Sequence, residues 1–190
     1  MCGWRELLQL KHLAILSVAA VSACSPALNW RVVHLQQLTA MLPCKPDQAQ
    51  RLVQLAAIDV EMRMAACEAD GAQFALAHVD VGVRNNVSDV LAAWKAVTLD
   101  NLGGVAPTAL PVTVPSAAGA NGRVEANGHT GFAASPAVRL AVNGIRTDGS
   151  PLKAELAWLV NGTHLYQIVA FGPKLTPDMT ETLFTELRIQ

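Results

Sequence analysis

The sequence predicts an α+β domain in which antiparallel sheet layers are packed by two main helices. Three observations carry that expectation. Apolar and polar residues alternate with period two over Ile58–Ala66, and Gln73–Val81 divides into two faces on the same period, the mark of strands. Apolar residues recur at three-four spacing over Asn86–Leu102 and again near Met179, the mark of amphipathic helices. Turn dipeptides, Asp70-Gly71 and Asn161-Gly162, separate the alternating runs and read as hairpins.

Residues 28–42 hold Trp30, Val32, Val33, Leu35, Leu38 and Leu42, read as one strand running into a tight turn. Pro43-Cys44-Lys45-Pro46-Asp47 must interrupt any regular element there. Arg51–Leu55 alternates next. Ile58, Val60, Met62 and Met64 then form one face of a strand, with Asp59, Glu61 and Arg63 on its solvated side. After Asp70-Gly71, Phe74, Leu76, His78 and Asp80 share one face, and Ala75, Ala77, Val79 and Val81 share the other.

The helix over 86–102 carries Val87, Val90, Leu91, Trp94 and Val97 on a stripe that belongs against a sheet. Asn86 or Ser88 can cap its start, and Gly103-Gly104 can end it. Residues 103–136 change character: 18 of the 34 positions are Gly, Ala or Pro, with Arg123 and Glu125 the charged residues. That composition buries little and reads as a long surface insert, with at most a weak strand near Val112 or Val124. Ala137–Arg146, Pro151–Val160 and His164–Phe171 follow as strands. A last helix is capped by Thr176, with Pro177 at its first position and Met179, Leu183, Phe184 and Leu187 on its apolar face.

The N-terminus carries an address. Arg5 and Lys11 precede the apolar run Leu13–Ala23, a basic region followed by an apolar stretch of secretory-signal length. The run falls short of the roughly 20 residues a membrane span needs. It ends in Val21-Ser22-Ala23-Cys24, which resembles the lipobox of bacterial lipoproteins. That resemblance implies cleavage after residue 23 and lipidation of Cys24, whose thiol and freed amine would carry the acyl chains. Several acyl chains, at about 0.8 kcal/mol per buried methylene, hold a protein to a bilayer almost permanently. Ser25, by resemblance to proteobacterial sorting, favours the outer membrane with the domain facing the periplasm. The expected organisation is a signal peptide over 1–23 and one domain over 24–190.

Cys44 and Cys67 then remain. In an oxidising exported compartment two such cysteines most often pair, which would tie the first strand's end to the tip of the Asp70-Gly71 hairpin. A redox pair or half a metal site is the functional alternative. Their separation does not match C-x-x-C, and no His–Cys cluster completes a zinc set. Two buried free thiols are the remaining reading.

Beyond the address, several segments carry a family likeness. They are the Leu42-Pro43-Cys44-Lys45-Pro46 turn, the helix ending in Asn101-Leu102-Gly103-Gly104, the block from Lys153 to Gly162, Leu165-Tyr166-Gln167, Gly172-Pro173 and the closing Phe184–Ile189. Together they resemble PsbP-like bacterial proteins over roughly residues 28–102 and 137–190. The resemblance implies an α/β/α sandwich and mostly non-catalytic docking roles. The Gly/Ala/Pro-rich insert, Thr185 and Leu187 depart from the family pattern, and no catalytic residue is carried over.

Fourteen basic against fifteen acidic residues leave no electrostatic footprint for nucleic acid. No G-x-S-x-G, H-E-x-x-H, P-loop or Rossmann motif occurs, and no cofactor is expected. His34, His129 and His164 are scattered without ligand spacing. His78 and Asp80, two apart on one strand face, are the candidate pair for hydrolytic or metal-dependent chemistry. Such a pair is ordinarily a satisfied polar pair at a sheet edge. The expectation is therefore a lipid-anchored, non-catalytic binding or assembly module of the cell envelope, with another envelope protein as its partner. The alternatives are an enzyme using His78 and Asp80, or a carrier of small apolar ligands with a cavity between sheet and helices.

Overall fold

The computed structural model describes residues 28–103, 107–111, 138–146 and 148–190. The expected signal segment, with Val21, Ser22 and Ala23, the expected lipidation site Cys24 and most of the 103–136 insert lie outside the described residues. What is described is a mixed α+β structure with antiparallel sheets and two helices.

The first segment is a hairpin, not one strand: β1 (Arg31–Leu35) and β2 (Leu38–Leu42) pair with Leu35 opposite Leu38. The turn at Gln36-Gln37 puts Gln36 at φ 55°. The physical reason is a change of phase. Val33 and Leu35 are buried at odd positions, and Leu38, Ala40 and Leu42 at even ones, so a two-residue reversal is needed to keep all five on one face.

Four further elements follow in the order expected. β3 (Asp47–Leu55) and β4 (Ile58–Ala69) close on Ala56-Ala57, with β5 (Ala72–Asp80) returning through Asp70-Gly71. Helix α1 (Val87–Asn101) starts at Asn86, whose side chain accepts from Ser88 N at 2.9 Å. It ends before Gly103, which adopts φ 56° and packs so closely that a Cβ would stand 3.1 Å from Ile145 O.

β6 (Thr108–Pro111) pairs with β7 (Val138–Ile145), so a strand begins inside the segment read as an insert. Val112 and Val124 lie outside the described residues. β8 (Pro151–Asn161) and β9 (His164–Gly172) meet at a loop of Gly162-Thr163 rather than Asn161-Gly162, with Asn161 opposite His164. Gly162 supplies the positive φ, 60°, at the first loop position, the pattern of a type II′ turn.

Helix α2 (Pro177–Thr185) has Thr176 at its N-cap, but the side chain makes no capping bond. The helix also stops short of Leu187. Arg188–Ile189 form a tenth strand, β10, beside β2, and Leu187 turns into the core at the junction.

Seven strands make one sheet in the order β3-β4-β5-β9-β8-β7-β6, and β1-β2-β10 make a smaller one. Trp94 and Val90 of α1 cover one face of the large sheet through Val60, Met62, Val79, Leu156 and Leu165. The small sheet and α2 cover the other, packing Leu38, Leu42, Leu183 and Phe184 on Phe74, Leu76 and Ile168. The two covers are offset along β4. Val60 and Met62 are buried toward α1, whereas Ala65 and Ala69 are buried toward the small sheet. One quadrant of the large sheet stays open, carrying Asp59, Glu61 and Arg63 of β4 and the outer face of β3. Cys44 and Cys67 are bonded, with Cα atoms 5.9 Å apart. The bond ties the end of β2 to the tip of the β4–β5 hairpin, as the sequence led one to expect, and two free thiols are excluded.

Candidate functional site

His78 and Asp80 do lie on one face of β5, but β5 is an interior strand of the sheet, flanked by β4 and β9. The expected edge position is therefore wrong. Pairing with β9 sets Tyr166 opposite His78 and His164 opposite Asp80. The partner of His78 is consequently not Asp80. His78 Nε2 lies 3.0 Å from His164 Nδ1, and the rings stack with centroids 5.2 Å apart. Tyr166 also tilts against His78, with ring centroids 4.9 Å apart. Asp80 accepts from the Gly82 N–H at 2.9 Å and from the Thr163 hydroxyl.

Burial sets the electrostatics. His78 is 5% exposed, and its pKa falls from 6.5 to about 4. Desolvation of the cation is the largest cause, with the His164 and Arg63 charges adding to it and Asp80 opposing. The imidazole is neutral at ordinary pH, and its Nδ1 is buried without a hydrogen-bond partner among the described residues. Asp80 is held below the usual carboxylate range, first by the Thr163 hydroxyl and then by the Gly82 amide. Tyr166 is pushed up by burial, its Oη accepting from Gln37 N at 3.3 Å.

The β1–β2 turn roofs this group. Asn161 Nδ2 donates to Gln37 Oε1 at 2.6 Å, and Gln37 O accepts from Gln190 N at 3.0 Å. Beside the roof, a cleft of about 520 Å³ opens between the turn and the β3–β4 face, with His34, Gln36, Gln48, Gln50 and Arg63 in its wall. Amides, an imidazole and a guanidinium give that wall hydrogen-bonding groups of both kinds. Arg63 is shared with Glu61 through a 2.8 Å ion pair.

Chemically, the group does not form a nucleophile–base pair. His78 directs Nε2 at another imidazole, and Asp80 directs its carboxylate at a turn amide and a hydroxyl. Among the described residues no group of three or more His, Cys, Asp or Glu side chains stands close enough to hold a metal ion. Cys44 and Cys67 bond to each other instead of contributing to a metal site.

A second polar cluster carries no signature in the sequence. Arg139 of β7 is 6% exposed, ion-paired to Glu155 of β8 and, at 3.4 Å, to Glu181 of α2. It also donates to Thr180 Oγ1 at 3.0 Å and lies 4.4 Å over the Phe184 ring. A cleft of about 290 Å³ opens beside it, bounded by Leu110 and Thr176. Its geometry is that of a clasp fastening α2 to the sheet.

No family model matches the chain, and no curated protein matches it. Among solved structures, a protein of unknown function from Pseudomonas aeruginosa is 11% identical, with 80% of this chain and 86% of that chain covered and a TM-score of 0.35. At that score the likeness bears on neither fold nor function. No helix among the described residues is long and apolar enough to cross a membrane.

Proposed function

We propose that this is a lipid-anchored protein of the bacterial cell envelope, held to the outer membrane through Cys24, facing the periplasm and acting by binding. The observation that carries the reading is the Cys44–Cys67 disulfide, because such bonds persist in exported compartments and are rare in a reducing cytosol. It agrees with the Val21-Ser22-Ala23-Cys24 motif, reached from an unrelated part of the chain. The layer order, α1 on one face of the large sheet and α2 with the small sheet on the other, supports the PsbP-like sandwich. The polar cleft at His34, Gln48, Gln50 and Arg63 is the binding surface this reading favours, with an envelope protein as partner. The clefts described mix polar with apolar side chains, Leu35 and Met64 in one and Leu110 and Leu175 in the other, and the polar groups of the first favour a polar partner over an apolar ligand. The geometry at His78 and Asp80 likewise favours binding over catalysis.

The test is intact mass and membrane fractionation in a proteobacterial host, beside a Cys24→Ala variant. The expected result is a triacylated mass, envelope retention lost in the variant, and no thiol titrating from Cys44 or Cys67. An unmodified mass with both of those thiols free overturns the reading.

A further inference from the structure

Among the described residues, the β3 edge of the seven-stranded sheet is long and unguarded. Nine residues, Asp47–Leu55, form the strand, and β4 is its one partner among the described residues. The opposite edge, β6, is four residues long and ends in Pro111, which is how sheets ordinarily blunt their edges. β3 contains no proline, lysine or glycine, and its first six residues are exposed. Leu52 is 75% exposed.

The hairpin turn decides which backbone groups are free. Ala56 and Ala57 both have positive φ, 48° and 64°, the type I′ geometry in which the flanking pair Leu55–Ile58 exchanges hydrogen bonds. Alternate residues back along the strand, Val53, Arg51, Ala49 and Asp47, also turn their amides and carbonyls toward β4. Gln48, Gln50, Leu52 and Gln54 therefore turn theirs outward.

We propose that this edge pairs with the same edge of a second copy of this chain, antiparallel about a two-fold axis at Ala49. In that register Gln48 of one copy faces Gln50 of the other, so outward amides and carbonyls meet one another on both sides of the axis. Asp47 of each copy faces Arg51 of the other, giving two symmetric opposite-charge pairs. The alternatives are poorer. Centring on Arg51 sets two guanidiniums against each other, and centring on Asp47 does the same to two carboxylates. Moving the axis by one residue, to Gln48 or Gln50, keeps outward backbone on outward backbone but leaves Asp47 and Arg51 without opposite-charge partners. The inference rests on the strand alone and is independent of the lipid anchor.

The experiment is oxidative cross-linking of the purified full chain with Ala49→Cys, beside Leu52→Cys and the unaltered protein as controls. The two thiols introduced by Ala49→Cys would lie directly opposite across a non-hydrogen-bonded pair. Those introduced by Leu52→Cys would stand about 20 Å apart along the strand. Dimer from Ala49→Cys well above both controls is expected and supports the pairing. Equal yields in all three overturn it. Sedimentation supplies the second measurement. Asp47→Arg and Arg51→Asp are each expected to weaken the dimer roughly tenfold, and the double variant to restore it. Sedimentation of the unaltered chain as a monomer at every concentration, as it would if the edge took an extended segment of another protein, also overturns it. So does a double variant no tighter than the singles.

Discussion

His78 and His164 are 86 residues apart in sequence, yet their ring nitrogens meet at 3.0 Å. The contact makes a prediction about pH. The folded protein keeps His78 neutral down to about pH 4, whereas the unfolded chain protonates it near 6.5. As pH falls between those values, the unfolded state takes up a proton that the folded state refuses. The stabilisation is therefore complete above 6.5 and is lost toward 4, by no more than about 3 kcal/mol. Urea unfolding of the protein and of His78→Leu at pH 7.5, 5.5 and 4.5 would show it. The stability of the unaltered protein relative to His78→Leu should fall as pH falls, and a constant difference would contradict the assignment.

Arg139 is a buried charge whose value lies in its partners. Arg139→Ala leaves Glu155 largely buried and uncompensated, and unfolding should become easier by about 3–5 kcal/mol. Replacing both residues, as Arg139→Met with Glu155→Leu, should cost clearly less than the single change. Chemical denaturation of the three proteins decides it. A double variant at least as damaged as Arg139→Ala would dismiss the clasp.

The Cys44–Cys67 bond joins residues 23 apart in sequence. On the chain-entropy argument, Cys44→Ala with Cys67→Ala should lower stability by about 3 kcal/mol, through the unfolded state above all. Reductant should lower the stability of the unaltered protein by a similar amount and leave the variant unmoved. Thermal melts with and without reductant make the comparison.

The Ala56-Ala57 turn holds two alanines in the left-handed region, where a Cβ costs about 1–2 kcal/mol per residue. Asn-Gly suits that turn far better. Ala56→Asn with Ala57→Gly should raise stability by about 1–2 kcal/mol while leaving the register of β3 on β4 unchanged. A melting temperature that does not rise would show that the turn has another geometry.

Local periodicity made much of the α+β architecture legible. The alternation from Ile58 and the period-two division from Gln73 gave β4 and β5 their faces correctly, and Asn86 and Trp94 gave α1 its start and its buried stripe. Cys44 and Cys67 could be paired by elimination. The β1–β2 reversal was also encoded, in the phase change between Leu35 and Leu38, but no glycine or asparagine marks Gln36-Gln37 as a turn. Long-range pairing stayed hidden. His164 looked solitary because only the β5–β9 register brings it to His78. Arg139 carried no signal because Glu155, Thr180 and Phe184 come from two other elements. Ile189 gave no strand signal, since two residues carry no period.

The disulfide makes β3 part of a closed covalent ring, with Cys44 just before the strand and Cys67 on its return. A protease that nicks the exposed Ala56-Ala57 turn would therefore cut the backbone without releasing either piece. The cut would open the ring, but each strand would still be tethered through the Cys44–Cys67 bond, kept in reach of the other and free to re-form the same ladder. The most exposed strand of the large sheet is thus also the one that a single cut cannot detach.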